Sequence, residues 1–114
     1  MTEAAARSER GVALVTGGAR RIGRAICLKL AQAGFDVAIH HHASGDDART
    51  LADEIAGLGR RACLLQADLT DEAQVAGLVA EVVGQHGGLD IVVNNAGMVS
   101  LGGASESGGL LDMD

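Results

Sequence analysis

Val12-Ala13-Leu14-Val15-Thr16-Gly17-Gly18-Ala19-Arg20-Arg21-Ile22-Gly23-Arg24-Ala25-Ile26 is the stretch that decides how this chain is read. Four apolar residues run into a glycine-rich turn, and the turn feeds a helix-compatible segment. The unbroken apolar run predicts a strand buried on both faces, as in a parallel sheet. Strand, glycine turn and helix in that order place the first N–H groups of a helix, and the positive end of its dipole, where a phosphate binds. The glycines miss the generic spacing of i, i+2 and i+5, because position 20, counted back from Gly23, is arginine. Taken alone, such a turn reads equally well as an ordinary loop.

Working outward, strands and helices alternate. The first strand covers 11–15. Ile22, Ile26 and Leu30 recur every fourth residue and predict a helix over 21–33, with Gly34 at its left-handed end. Residues 35–42 read as a second strand. Ser44-Gly45-Asp46-Asp47 offers N-cap chemistry for a second helix, with Leu51, Ile55 and Leu58 on its inner face and Gly57 and Gly59 at its end. A third strand covers 61–66. Thr70 is placed to cap a third helix opening on Asp71 and Glu72, with Val75, Leu78, Val79, Val82 and Val83 at helical spacing and Gly87-Gly88 as its stop. A fourth strand covers 89–93 and leads into Asn94-Asn95-Ala96-Gly97. Right-handed crossovers between such units give an open parallel sheet with helices on both faces. Ligands bind such sheets beyond the carboxyl ends of the strands. The four chemically distinctive stretches, 16–23, 40–44, 68–69 and 94–97, all fall there.

Composition narrows the class. The length of 114 residues suits one small domain. With 47% hydrophobic and 21% charged residues it is globular, and with Phe35 as its one aromatic residue the core must be built from Val, Leu, Ile and Ala. A net charge of −6 without a basic cluster argues against nucleic acid as a partner. No apolar run reaches membrane-spanning length. Residues 1–10 are small and polar, lack the apolar core of a signal peptide and read as a mobile tail. Residues 98–114 read as a flexible Gly/Ser-rich end. Cys27 and Cys63 match no metal or redox spacing and read as small buried hydrophobes in a reducing compartment, so the expected location is cytoplasmic. Among His40-His41-His42 only His40 and His42 share a strand face, and with no third ligand nearby no metal is expected.

Taken together, these stretches resemble the short-chain dehydrogenase/reductase family over residues 11–97. Thr16, Gly17 and Gly23 match its Thr-Gly-x-x-x-Gly-x-Gly loop, with Arg21 in place of the middle glycine. Asp68 matches its acidic residue after the third strand, and Asn94-Asn95-Ala96-Gly97 matches its Asn-Asn-Ala-Gly in full. The Arg21 variant, with a His-rich segment ending in Ser44, is similar to pteridine-reductase-like members and to relatives of the 3-oxoacyl-carrier-protein reductases, although Ala43 stands where the former often carry Arg. The resemblance implies an α/β, Rossmann-type parallel sheet, here truncated after the fourth strand. It implies that Gly17 permits the tight turn, that Gly23 permits close helix packing and that the amides of Ile22 and Gly23 face a pyrophosphate. It further implies that Asp68 and the Leu69 N–H read adenine, and that Asn94, Ala96 and Gly97 line the adenosine. Asn94 or Asn95 could equally tie the fourth strand to its neighbours.

An acid at the end of the second strand would grip the 2′-hydroxyl of NAD. This chain has histidines there, and arginines in the first loop. The expected cofactor is therefore NADP(H), with Arg21, His42 and Ser44 as the phosphate group, Arg20 as a second candidate, and solvated loop residues as the plain alternative. The family's catalytic pair is a Tyr-x-x-x-Lys. This sequence holds no tyrosine and one lysine, Lys29, so no catalytic residue is assigned. The expected function is the cofactor-binding part of a reductase that would deliver hydride to a carbonyl or pterin substrate, its full-length relatives usually homo-oligomers. The alternative is a non-catalytic nucleotide-binding or protein-interaction module.

Overall fold

The computed structural model of the chain describes residues 8–95. Seven elements alternate: β1 (Val12–Val15), α1 (Arg21–Gln32), β2 (Asp36–His41), α2 (Gly45–Gly57), β3 (Ala62–Gln66), α3 (Glu72–His86) and β4 (Ile91–Val93). The sheet order is β3-β2-β1-β4, and every pairing is parallel. Each strand therefore ends on the same edge. The chain grows away from β1 through β2 to β3, then returns to place β4 on the other side of β1. That reversal opens a crevice between the ends of β1 and β4.

β1 is the central strand and is enclosed on both faces, as its apolar run requires. Val15 joins Val37, Ile39, Cys27, Ala31, Leu51 and Ile55 in a core beneath α1 and α2. Val12 and Leu14 point the other way and join Ala38, Leu65, Leu78 and Val82 beneath α3. Each fully buried Val, Leu or Ile in these layers contributes about 1.5–3 kcal/mol. β3 and β4 are the outer strands of the described sheet, and Val92 of β4 is 56% exposed although its strand reads as a buried type.

Three helix faces differ from their apolar spacing. In α1 the buried residues are Gly23, Cys27 and Ala31, one position along from Ile22, Ile26 and Leu30. Small residues face inward because the helix start lies against the glycine turn. A Cβ on Gly23 would sit 2.1 Å from the Gly17 carbonyl oxygen, and Cys27 Sγ is 3.6 Å from the Gly18 oxygen. Ile22 is left 63% exposed, while Ile26 and Leu30 pack at the flank. In α2 the inner face is Ala48, Leu51 and Ile55, and Leu58 lies past the last turn at the C-cap, exposed. In α3 only Leu78, Val82 and His86 are buried, since the helix meets the sheet along a single narrow stripe.

The helix ends follow local chemistry. Gly34, at φ +104°, ends α1; its N–H bonds Ala31 O, and the Phe35 N–H bonds Leu30 O, both at 3.0 Å. Asp71, rather than Thr70, caps α3, accepting from the amides of Ala73 and Gln74. Thr70 is occupied instead by Asp68. The fold also takes hold of the chain before Gly11. Ser8, placed in the tail by composition, is buried, and its N–H bonds Asp36 Oδ2 at 3.0 Å. No helix among the described residues is long and apolar enough to cross a membrane.

Candidate functional site

The loops after all four strands meet at the carboxyl edge of the sheet. The turn after β1 is fastened by partners far away in sequence. Gly17, at φ +60°, takes a backbone conformation that disfavours a side chain. Its N–H donates to His40 Nδ1 at 2.9 Å, its carbonyl accepts from Asn95 Nδ2 at 3.0 Å, and the Gly18 N–H donates to His40 O at 2.9 Å. Because Nδ1 of His40 accepts, its proton is on Nε2, which donates to Ala67 O at 2.9 Å. The fully buried His40 thus braces the β1 turn against the end of β3. Its position in a run of three histidines hides this role; the available signal is that the turn's amides need an acceptor and His40 ends the apolar run of β2.

Below this turn, α1 begins without a side-chain cap and without an acidic residue in its first turn. The amides of Ile22 and Gly23 belong to the first turn, whose N–H groups have no partner within the helix. α3 is the opposite case, with Asp71 and Glu72 filling the same role at its start. The uncapped, acid-free start of α1 suits an incoming anion. Gly23 is where close approach is enforced, packed on the Gly17 oxygen and 2.8 Å from Asn95 Nδ2 for a notional Cβ.

Arg20 and Ser44 come together. They line a polar cavity of about 530 Å³ with Ala43, Gly45, Asp46 and Asp47 at the start of α2. Arg20 Nε stands 3.7 Å from Asp47 Oδ2, both largely exposed. Ser44 occupies the N-cap position of α2 but makes no capping bond with its side chain. Arg21 and His42 do not line this cavity. Arg21 is exposed, with φ +56°. His42 is exposed beside the β3 loop, where its carbonyl accepts from Gln66 Nε2 at 3.0 Å. Of the four candidates for a 2′-phosphate, the structure groups the second-choice arginine with the serine.

The β3 loop presents Asp68. Its Oδ1 accepts from the Thr70 hydroxyl at 2.6 Å and the Thr70 N–H at 2.9 Å. These bonds hold the carboxyl below its usual range, so it is an anion at neutral pH. Leu69 and Asn94 share the wall of a second cavity, about 630 Å³ and mainly apolar, between α3 and β4, with Leu14, Thr16, Val79 and Val92. Asn94 Oδ1 is 3.3 Å from Thr16 Oγ1. Asn95, by contrast, is buried and serves the glycine turn. Ala96 and Gly97 lie outside the described residues. Among the described residues no three His, Cys, Asp or Glu side chains converge as metal ligands. Burial pushes the Cys27 thiol up to about 12 and, with the nearby Glu81 charge, Cys63 up to about 11, so neither is a thiolate at neutral pH.

Comparison with known proteins agrees with this fold. A model of short chain dehydrogenases matches residues 11–109. The 3-oxoacyl-acyl-carrier-protein reductase FabG of Staphylococcus aureus is 43% identical over 86 residues, 75% of this chain and 35% of that one. Among solved structures, FolM alternative dihydrofolate reductase 1 from Brucella suis, in complex with NADP, is 45% identical with a TM-score of 0.72, covering 78% of this chain and 37% of that one. A short chain dehydrogenase from Burkholderia cenocepacia, also in complex with NADP, is 47% identical with a TM-score of 0.76, over 82% of this chain and 38% of that one. The chain spans little more than a third of the length of these relatives.

Proposed function

This chain belongs to the short-chain dehydrogenase family, and on that premise we propose that it forms the NADP(H)-binding part of an oxidoreductase acting on a carbonyl or pterin substrate. The observation that carries the proposal is the junction of three features on one edge. They are the uncapped start of α1 under the glycine turn, the cavity holding Arg20 and Ser44, and the absence of an acid in β2 itself after its first residue. The pyrophosphate would sit at the Ile22 and Gly23 amides. The 2′-phosphate would sit in the cavity, where the Arg20 guanidinium exchanges Asp47 for a phosphate and Ser44 offers its hydroxyl. Asp68 would accept from the adenine amino group, with the Leu69 N–H at the ring. Asn94 would border the adenosine, with Ala96 and Gly97 following it in sequence. The dinucleotide supplies hydride; this chain's residues bind and orient it. The NADP complexes of the FolM and Burkholderia structures support the cofactor. The likeness to FolM supports a pterin substrate, and that to FabG a 3-oxoacyl one.

Titration of the chain with NADPH and NADH, followed by cofactor fluorescence, tests the reading. NADPH is expected to bind at least tenfold more tightly, as one charge-assisted bond of about 1.5 kcal/mol implies. Arg20→Ala is expected to remove most of that margin. Equal binding of the two cofactors by the wild-type chain would refute it. With no tyrosine in the sequence, the chain is expected to oxidise no NADPH in the presence of carbonyl or pterin substrates; measured turnover would overturn the assignment of no catalytic residue. A second reading, a non-catalytic nucleotide-binding or interaction module, is favoured by the exposed valines of α3 and β4. Retention of a partner protein through that face, without NADPH binding, would select it.

A further inference from the structure

Gln74 lies on the first turn of α3, exposed, and outside every loop assigned to the cofactor. Its amide group nevertheless bonds both ends of the loop between β3 and α3. Oε1 accepts from the Asp68 N–H at 2.8 Å, and Nε2 donates to Asp71 Oδ2 at 3.2 Å. The Gln74 N–H lies 3.3 Å from Asp71 Oδ1. A glutamine at the third helical position usually reaches back to the N-cap amide. Here it reaches three residues further, past Asp71 to Asp68.

The bonds around Asp68 divide into two kinds. Those from the Thr70 hydroxyl and amide fix the carboxylate within its own loop. The bond from the Asp71 N–H to Asp68 O, at 3.0 Å, is also internal to it. None of these ties the loop to the body of the helix. The Gln74 amide does, and it holds the backbone of the residue whose carboxylate faces the ligand. Since both Thr70 bonds fall on Oδ1, the second oxygen, Oδ2, is the one left to face a base.

We infer that Gln74 is a positioning residue for base recognition: by anchoring the Asp68 backbone to α3, it sets where the Asp68 carboxylate meets the amino group of the adenine ring. The inference rests on the reading of Asp68 given above, and it goes beyond it by assigning the selectivity to a side chain that never touches the ligand. Without Gln74 the 68–71 loop keeps its internal bonds and its tether at Ala67, but the Asp68 backbone loses its tie to α3. The carboxylate then no longer has one fixed position, and a base that offers a carbonyl in place of the amino group is no longer rejected.

The test compares NADPH with its hypoxanthine analogue, in which a carbonyl replaces the adenine 6-amino group, on the wild-type chain and on Gln74→Leu. The wild-type chain is expected to prefer NADPH by about tenfold or more, since the analogue turns a lone pair toward a carboxylate. Gln74→Leu is expected to reduce that preference to roughly twofold. The NADPH-to-NADH ratio serves as the control, because the 2′-phosphate cavity lies at the start of α2 and shares no residue with this loop. A merely structural loss moves both ratios; loss of positioning moves only the first. Hydrogen exchange at the Asp68 amide is expected to quicken in the variant. An unchanged base preference in Gln74→Leu, with a clear preference in the wild type, would overturn this inference and leave the Asp68 reading intact. No base preference in the wild type, or no binding of either nucleotide at millimolar concentration, would overturn both.

Discussion

Arg21 carries a backbone penalty that glycine would not. Its φ of +56° lies in the left-handed region, where a Cβ crowds the following carbonyl at a cost of about 1–2 kcal/mol. The glycine at the matching position of the family's loop is explained by this geometry, and the arginine that replaces it keeps the conformation. Arg21→Gly is therefore expected to leave stability unchanged or to raise it by up to about 1 kcal/mol, the gain being offset by the freer unfolded chain. Urea denaturation checks it, and a clear fall in midpoint would mean that the Arg21 side chain holds the turn. The residue was legible in the sequence as a departure from the family pattern. Its side chain's place was not: Arg20 and Arg21 are adjacent and chemically equal, and only the backbone geometry of the turn puts Arg20 in the cavity with Ser44.

At the scale of elements, Asp36 joins the start of β2 to two other segments, the chain before β1 and the chain before β3. Oδ1 accepts from Arg60 Nε and the Arg61 N–H, each at 3.0 Å, and Oδ2 accepts from the Ser8 N–H. Burial alone would push this carboxyl up. The hydrogen bonds from Arg61, Ser8 and Arg60, with the Arg60 charge, outweigh that and hold it below its ordinary value of 3.8. A lowered folded value means that the ionised group stabilises the fold at all pH above about 3.8, and that this share is lost as the pH falls through the folded value. Asp36→Ala is expected to cost about 3 kcal/mol at pH 7, because it strands two amides and a guanidinium. The gap between wild type and variant should close in acid below pH 3.8. Denaturation midpoints across a pH series check it, and a gap that stays constant would remove the ionised group from the account. Element order and approximate ends were legible from apolar runs and glycine stops. Inner faces were less so, because periodicity counts apolar residues and cannot see that Gly23 must lie on the Gly17 oxygen. The same limit applies to Thr70 and Asp71: both suit an N-cap, and Asp68 decides between them by engaging Thr70.

Across the whole molecule, the two faces of the sheet are unequal. α1 and α2 cover one side. On the other, among the described residues, α3 stands alone, and Val75, Val79, Val83 and Val92 are each between 39% and 56% exposed. β4 beside them has an unpaired edge among the described residues. Apolar surface next to a free strand edge favours association. The chain is expected to self-associate with rising concentration in sedimentation experiments, and Val79→Glu with Val92→Lys to shift it toward monomer. A wild-type chain that stays monomeric at high concentration would contradict this. The parallel order and the clustering of four loops on one edge were legible from the strand–helix alternation alone. The braces that make those loops a site were not, since His40 and Asn95 meet Gly17 across 23 and 78 residues of chain.

That last separation also sets a clock. A ribosome adds roughly 5–20 residues per second, so about 4–16 s pass between the emergence of Gly17 and that of Asn95. Throughout that interval the glycine turn exists as sequence but lacks the amide that clamps its carbonyl. The turn between the first strand and helix is fully braced only when the fourth strand docks beside the first. Anything that binds the braced turn therefore stabilises the finished fold by mass action, and not a chain that still lacks the fourth strand.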